Sequence, residues 1–411
     1  MAIGSFSRNL RSFRTRQRWS RPQQRAPATA VDGVQLSSLQ YSSRQGWSGP
    51  FPEWDSEQTL VVAFGASELV DHAGPLEELK RAFPRSVRIG CSTSGEIFGT
   101  TISDGSISVA ICRFDDVQLR RSAASVSSSE GSRAAGRAVA GPLMGPGLRA
   151  IFVLSDGLNV NGSDLLSGIN EVVGPEVTVT GGLAGDATRF QRTWVLLDDG
   201  PVAGVVSAVG FYGKALRIGH GARGGWDIFG PERTVTKSKA NVVYEIDGQP
   251  ALALYKSYLG ERAAGLPGTA LLFPLSLRSS GEDEKFLVRT ILAINEEDQS
   301  MTFAGNLPEG SLVQLMRANF DRLIDGAHEA ATLTRSGEDV APQLALAVSC
   351  VGRRIALGQR TEEEVEAAFD PLPKTAQMIG FYSYGEISPL GTGRCDLHNQ
   401  TMCITTLAEA A

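Results

Sequence analysis

A strand-helix-strand unit recurs three times along this chain, and the recurrence restricts the fold to architectures built on right-handed crossovers. The first copy begins at Leu60-Val61-Val62-Ala63-Phe64 and continues through a helical pattern with Leu76, Leu79 and Phe83 on one face. It reaches Val87-Arg88-Ile89 and stops at Gly90. The second begins at Ala150-Ile151-Phe152-Val153-Leu154, places Ser163 as a helix cap ahead of Leu165, Leu166, Ile169 and Val173, and stops at Gly181. The third begins at Leu344-Ala345-Leu346-Ala347-Val348, carries Thr361 and Glu364 as a capping box, and stops at Gly380. Each copy is roughly 30 to 37 residues long, the length of one crossover with one helix, so its two strands are parallel. Alternation over 285–295 and 300–305 predicts an antiparallel pair, and a helix is predicted over about 311–331. The fold class is α/β, in two domains with mixed sheets built from repeated βαβ units.

The residues after each terminal glycine are also alike. They read Gly90-Cys91-Ser92-Thr93-Ser94-Gly95-Glu96, Gly181-Gly182-Leu183-Ala184-Gly185-Asp186 and Gly380-Phe381-Tyr382-Ser383-Tyr384-Gly385-Glu386. Each turn closes on a glycine followed by an acid. The carboxyl ends of strands in open α/β sheets form the ligand crevice, and glycine lets backbone approach a ligand closely. Cys91, Ser92, Ser94, Glu96, Asp186, Tyr382, Tyr384 and Glu386 are therefore candidate ligand-binding residues. Two roles stay open for the acids: accepting backbone N–H groups inside their own turns, or touching the ligand. The tyrosines likewise either pack in the core or present hydroxyls to a small polar molecule.

Charge narrows the partners. The chain of 411 residues carries 39 Lys and Arg against 45 Asp and Glu. Seven of the arginines (8, 11, 14, 16, 18, 21 and 25) precede the first acid, Asp32, which leaves 39 − 7 = 32 bases against 45 acids, or −13, for the rest. A body that acidic repels phosphate backbones, which argues against a nucleic-acid partner. The Arg-rich segment itself has the composition of a disordered arm. No apolar run approaches the roughly 18 to 20 residues of a membrane span. Five cysteines without a CxxC pair suggest reduced thiols and a cytoplasmic protein.

The turn segments resemble the signatures of the FIST family, sensory proteins with paired FIST N-terminal and FIST C-terminal domains. The resemblance spans about 55–405. Besides the turns it includes Val235-Thr236-Lys237, Asn241 to Gly248, Gly380 to Pro389 and Leu397-His398-Asn399-Gln400-Thr401. It implies small-ligand sensing in bacterial signal transduction, with amino acids as proposed ligands and output through partner proteins. His398 and Asn399 join the candidate ligand-binding residues on this ground. The stretches Gly224 to Arg233 and Ser349 to Arg354 are similar to a branch of haem-binding nitric-oxide sensors that regulate histidine kinases or cyclic-di-GMP enzymes.

A b-type haem needs an axial donor in an apolar pocket. Of the four histidines, His72 and His328 sit in polar surroundings, while His220 lies among small residues with Trp226 nearby, so His220 and Trp226 are the candidate haem-binding pair. The alternatives for His220 and His398 are backbone hydrogen bonding that holds their loops. Cys91 is the best argument for an enzyme, an isomerase or hydrolase using that thiol or the turn carboxylates. Against it, no histidine is near in sequence, and GxxxxGK[ST] and GxSxG are absent. No metal site is expected. A third reading is an adaptor without ligand. Taken together, the expected organisation is an Arg-rich tail over 1–40, a sensory domain over 41–235 and a signal-transduction domain over 236–411, with a ligand crevice where the glycine-rich turns of both halves converge.

Overall fold

The three predicted crossovers form, and each pairs its strands in parallel. Thr59–Ala66 lies beside Val87–Thr93, Leu148–Ser155 beside Thr178–Leu183, and Leu344–Cys350 beside Gln377–Ser383 in a computed structural model that describes residues 34–72, 74–278, 286–335, 343–389 and 393–410. The terminal glycines hold one register position: Gly90 faces Ala63, Gly181 faces Val153, and Gly380 faces Ala347. A Cβ at these glycines would come within 2.2, 1.8 and 2.1 Å of the facing carbonyl oxygen. Carbon cannot approach oxygen that closely, which is why glycine recurs at this place.

The hairpin that follows each turn leaves its own sheet. Glu96–Phe98 and Thr101–Ser103 extend the sheet of the third copy, where Glu96 pairs with Phe381. Gly385–Pro389 and Cys395–His398 extend the sheet of the second. Val195–Leu197 and Gly200–Val202 extend the first, where Val195 pairs with Cys91. Every copy thus donates a hairpin to one neighbour and accepts one from the other, a cyclic exchange with pseudo-threefold symmetry. Two antiparallel strands extend the other side of each sheet: Ser106–Arg113 with Gln35–Ser42, Val205–Tyr212 with Gln118–Ser125, and Met402–Glu409 with Leu216–Arg223, the first sheet adding the short Gly46–Trp47 at its edge.

The inner faces of the three sheets share one apolar core that includes Phe64, Phe152, Phe211, Leu346 and Phe381. The rings of Phe64 and Phe381, from different copies, are 4.6 Å apart. Each such buried side chain contributes about 1.5–3 kcal/mol. Helices cover the outer faces: Gly74–Ala82 on the first sheet, Ser132–Ala140 and Gly162–Val172 on the second, Phe320–Thr332 and Thr361–Phe369 on the third. Between Leu216–Arg223 and Phe320–Thr332 the chain makes a separate β body with its own core around the helix Ala251–Leu259. Its strand order ends on Leu287–Arg289 at one side and Ile291–Asn295 at the other, which only Thr290 separates, so the sheet path curls back on itself.

Several expectations change. The seven-arginine stretch lies outside the described residues, but Gln35–Ser42 pairs along Ser106–Arg113, so the tail assigned to 1–40 ends too late. A division at 235/236 separates no sheets, because Leu216–Arg223 and Glu96–Phe98 belong to the sheet of the third copy. Residues Leu312–Ala318 form a strand whose burial alternates; the helix begins only after Asn319, whose side chain accepts the Arg322 N–H. The helix Gly162–Val172 is capped by Asn161, two residues before Ser163. Glu364 makes no capping box and is buried against Arg353.

Candidate functional site

The three glycine-rich turns meet at the pseudo-threefold axis and bond to one another in a ring. Ser94 N–H donates to Tyr382 O at 2.8 Å, Tyr384 N–H to Leu183 O at 3.3 Å, and Gly185 N–H to Ser92 O at 3.0 Å. Each bond runs from one turn to the next. The turns converge, yet they seal one another, and most candidate side chains serve that seal. Glu96 accepts from Thr93 Oγ1 and from Ser106 N and Oγ at 2.9 and 2.8 Å. Glu386 repeats this with Ser383 Oγ at 2.7 Å and Thr401 N and Oγ1 at 3.2 and 2.9 Å. Asp186 accepts three consecutive backbone N–H groups, from Phe190, Gln191 and Arg192, as well as the Tyr384 hydroxyl. All three acids are buried loop-holders.

The other candidates divide in the same way. Ser92 Oγ accepts from Trp194 N at 3.1 Å, and Tyr382 donates its hydroxyl to Glu364 at 2.9 Å. Cys91 is sealed in the central core, where burial pushes its thiol well above the ordinary range. Asn399 Nδ2 donates to His398 O at 3.0 Å, while Nε2 of buried His398 lies 3.0 Å from Ser388 O.

One candidate does reach open space. Ser94 lines a pocket of about 580 Å³ beside the ring, with Ala187 and Thr188 following the second turn and Arg354 and Thr361 from the third copy. All three copies therefore contribute to one wall. Arg354 Nη1 donates to Ser94 O at 2.6 Å, and its guanidinium makes a two-bond fork with Asp104 at 2.7 and 2.8 Å. Gly95 has φ of +128°, a backbone conformation that side chains rarely adopt, and a Cβ there would displace the end of the Arg354 side chain from its place 2.3 Å away. Phe190 stacks on Tyr384 at 4.5 Å nearby and remains exposed.

The pattern described as the FIST N domain matches residues 59–249, and that described as the FIST C domain matches residues 251–389. The chain belongs to the FIST family. FIST domains occur in sensory signal-transduction proteins and bind small ligands. No curated protein matches the chain. The boundary between the two FIST segments, at 249–251, falls inside the curled β body, just before its helix Ala251–Leu259.

In this FIST chain the residues that sequence reasoning missed lie just past the first strand of the third copy. Arg353 and Arg354 follow Leu344–Cys350, at the strand end that adjoins the turns. Applying the strand-end argument to both strands of each crossover would have found them. Arg354 faces the pocket. Arg353 points inward, wholly buried, and pairs with buried Glu364 at 2.5 Å. It also donates to Gly224 O and Leu323 O at 2.5 and 2.6 Å, at the two stems of the β body. Adjacent residues thus join the pocket wall to the roots of that body.

His220 and Trp226 lie in different settings. Burial lowers the His220 pKa, and His220 is half-buried on the strand Leu216–Arg223 rather than in a loop. Trp226 is packed with Met316 and Leu323 and donates its Nε1–H to Gln400 O at 3.0 Å. Among the described residues, no His, Cys or Met lines the 580 Å³ pocket. Among the described residues, no helix is long and apolar enough to cross a membrane.

Burial raises Glu96 to about 7 and Glu386 to about 8, and lowers His398 to about 4. A carboxyl raised on folding binds more protons folded than unfolded, so stability falls as pH rises between its two values. His398 works in the opposite sense below its unfolded value near 6.5. Between pH 6.5 and 8 the glutamates act without that opposition. Stability is expected to fall by about 1–2 kcal/mol over this window, with Glu386→Gln flattening most of the slope. Urea unfolding at the two pH values checks it; an unchanged slope in Glu386→Gln refutes the assignment.

Proposed function

We propose that this FIST chain is a non-catalytic cytoplasmic sensor whose small polar ligand occupies the pocket beside the turn ring. The observation that carries the reading is the origin of the wall: Ser94, Thr188 and Arg354 come from three different repeats. A ligand there touches all three copies at once and favours whichever arrangement of them fits it best. That differential affinity is what a sensor needs, because a ligand that binds two states equally shifts neither. One base, Arg354, and one acid, Glu362, stand in the wall among hydroxyls and apolar side chains, which suits an amino acid better than a bare ion. Occupancy is read by a partner, a histidine kinase or cyclic-di-GMP enzyme in keeping with the family resemblance.

The test is a thermal-shift panel of the amino acids, with haem included, on the full chain and on Thr188→Trp, which fills the pocket from an exposed position. At a hundredfold excess over Kd, a true ligand adds about 2.7 kcal/mol of stability. The expected result is a raised Tm with at least one amino acid, lost in Thr188→Trp although the unliganded Tm is unchanged. Stabilisation that survives Thr188→Trp removes the pocket from consideration. A Soret band that persists after desalting and disappears in His220→Ala moves the ligand to the edge strand and overturns the amino-acid reading.

A further inference from the structure

Among the described residues, Arg354 is the only basic residue lining the pocket, and it is already paired. Its partner Asp104 sits in the turn between Thr101–Ser103 and Ser106–Arg113, at the end of the hairpin that the first copy lends to the third. The fork is bidentate, at 2.7 and 2.8 Å, but the two sides are held unequally. The Asp104 side chain is 70% exposed, whereas that of Arg354 is 24% exposed and is pinned by Ser94 O on one side and the Tyr382 ring, 5.5 Å away, on the other. A fixed fork of donors with a loosely held carboxylate suits exchange of the anion. Exposed pairs contribute little, and a carboxylate inside the pocket makes the same two bonds with less competition from water. Ile102, Val351 and Ile355 in the same wall give such an anion room for an apolar body.

We propose that Asp104 is a built-in stand-in for the oxyanion of the ligand: a small molecule bearing a carboxylate or similar group takes over the Arg354 fork and releases Asp104. This rests on reading the pocket as the ligand site, and adds how occupancy is registered there. Release unties the 103–105 turn from the third copy, so one of the three exchanged hairpins loosens when ligand binds.

Benzoate and its neutral isostere benzamide are the probes, titrated calorimetrically into the full chain at constant ionic strength. Benzoate is expected to bind better than benzamide. Asp104→Asn, which keeps the shape and removes the competing charge, is expected to tighten benzoate about fivefold and leave benzamide unchanged. Arg354→Gln erases the preference. Amide exchange over residues 101–106 is expected to quicken when benzoate binds the unaltered chain. Equal affinity for benzoate in the unaltered chain and Asp104→Asn overturns the exchange, even where Thr188→Trp abolishes both probes and so upholds the pocket. Failure of benzoate to bind Asp104→Asn also overturns it, whatever the amino-acid panel shows. Loss of amino-acid stabilisation, by contrast, bears on the pocket and not on Asp104.

Discussion

Arg353→Met is expected to destabilise the chain by about 3–5 kcal/mol, the range for stripping one partner from a buried ion pair. The guanidinium and the Glu364 carboxylate are both wholly buried. Removing the first leaves a charge facing only Ser349 and Tyr382, and deprives Gly224, Leu323 and Gln400 of a donor to their carbonyls. Methionine replaces the aliphatic stem of the lost side chain but not its guanidinium hydrogen bonds, and a buried carbonyl that loses a donor carries its own penalty. Arg353→Met/Glu364→Leu is expected to recover part of the loss, since two apolar side chains need no counter-charge, yet the three carbonyls keep recovery incomplete. Urea midpoints for the single and double variants decide it. A loss under about 1 kcal/mol in Arg353→Met means that water replaces the guanidinium and that the link between pocket and β body is weak.

The second large effect is expected at Gly181. Alanine there puts a carbon 1.8 Å from Val153 O in the centre of a parallel pair, and the backbone has φ of +144°, which side chains avoid. Neither strand can yield easily, because Thr178–Leu183 is paired on its other side with the hairpin Gly385–Pro389. Gly181→Ala is expected to cost at least about 3 kcal/mol and to lower the yield of folded protein sharply. Gly230 is the control. Its φ is +84° but nothing lies within 4 Å of an added Cβ, so Gly230→Ala loses only about 1 kcal/mol of backbone strain. Melting temperatures of the two variants compare them directly, and similar values would show that sterics at the strand pair are not what retains the repeated glycine.

The crossovers and their glycines were legible because each is local: a period-2 run, a helical face and a glycine lie within one short segment. The hairpin exchange was not, because which sheet Glu96–Phe98 or Gly385–Pro389 joins depends on strands hundreds of positions apart. The same limit explains the candidate residues. A glycine followed by an acid marks a turn at a strand end correctly, but whether Glu96 faces ligand or Ser106 depends on a partner supplied by the following strand. Leu312–Ala318 was misread because apolar positions in a short run satisfy either period until Asn319 is recognised as a cap. Arg354 is marked locally only by its place at a strand end; what it does there depends on Ser94 and Asp104, which lie 260 and 250 positions earlier in the chain.

The borrowed hairpins also dictate an order of events during synthesis. When the ribosome has made the second parallel pair, the free side of Thr178–Leu183 stays raw until Gly385–Pro389 emerges, some two hundred codons later. An uncovered strand flank invites pairing with other nascent chains. Shortening the gene after the first FIST segment therefore leaves an unfinished flank, and the second sheet is completed only when the Gly385–Pro389 strand arrives to close the circle.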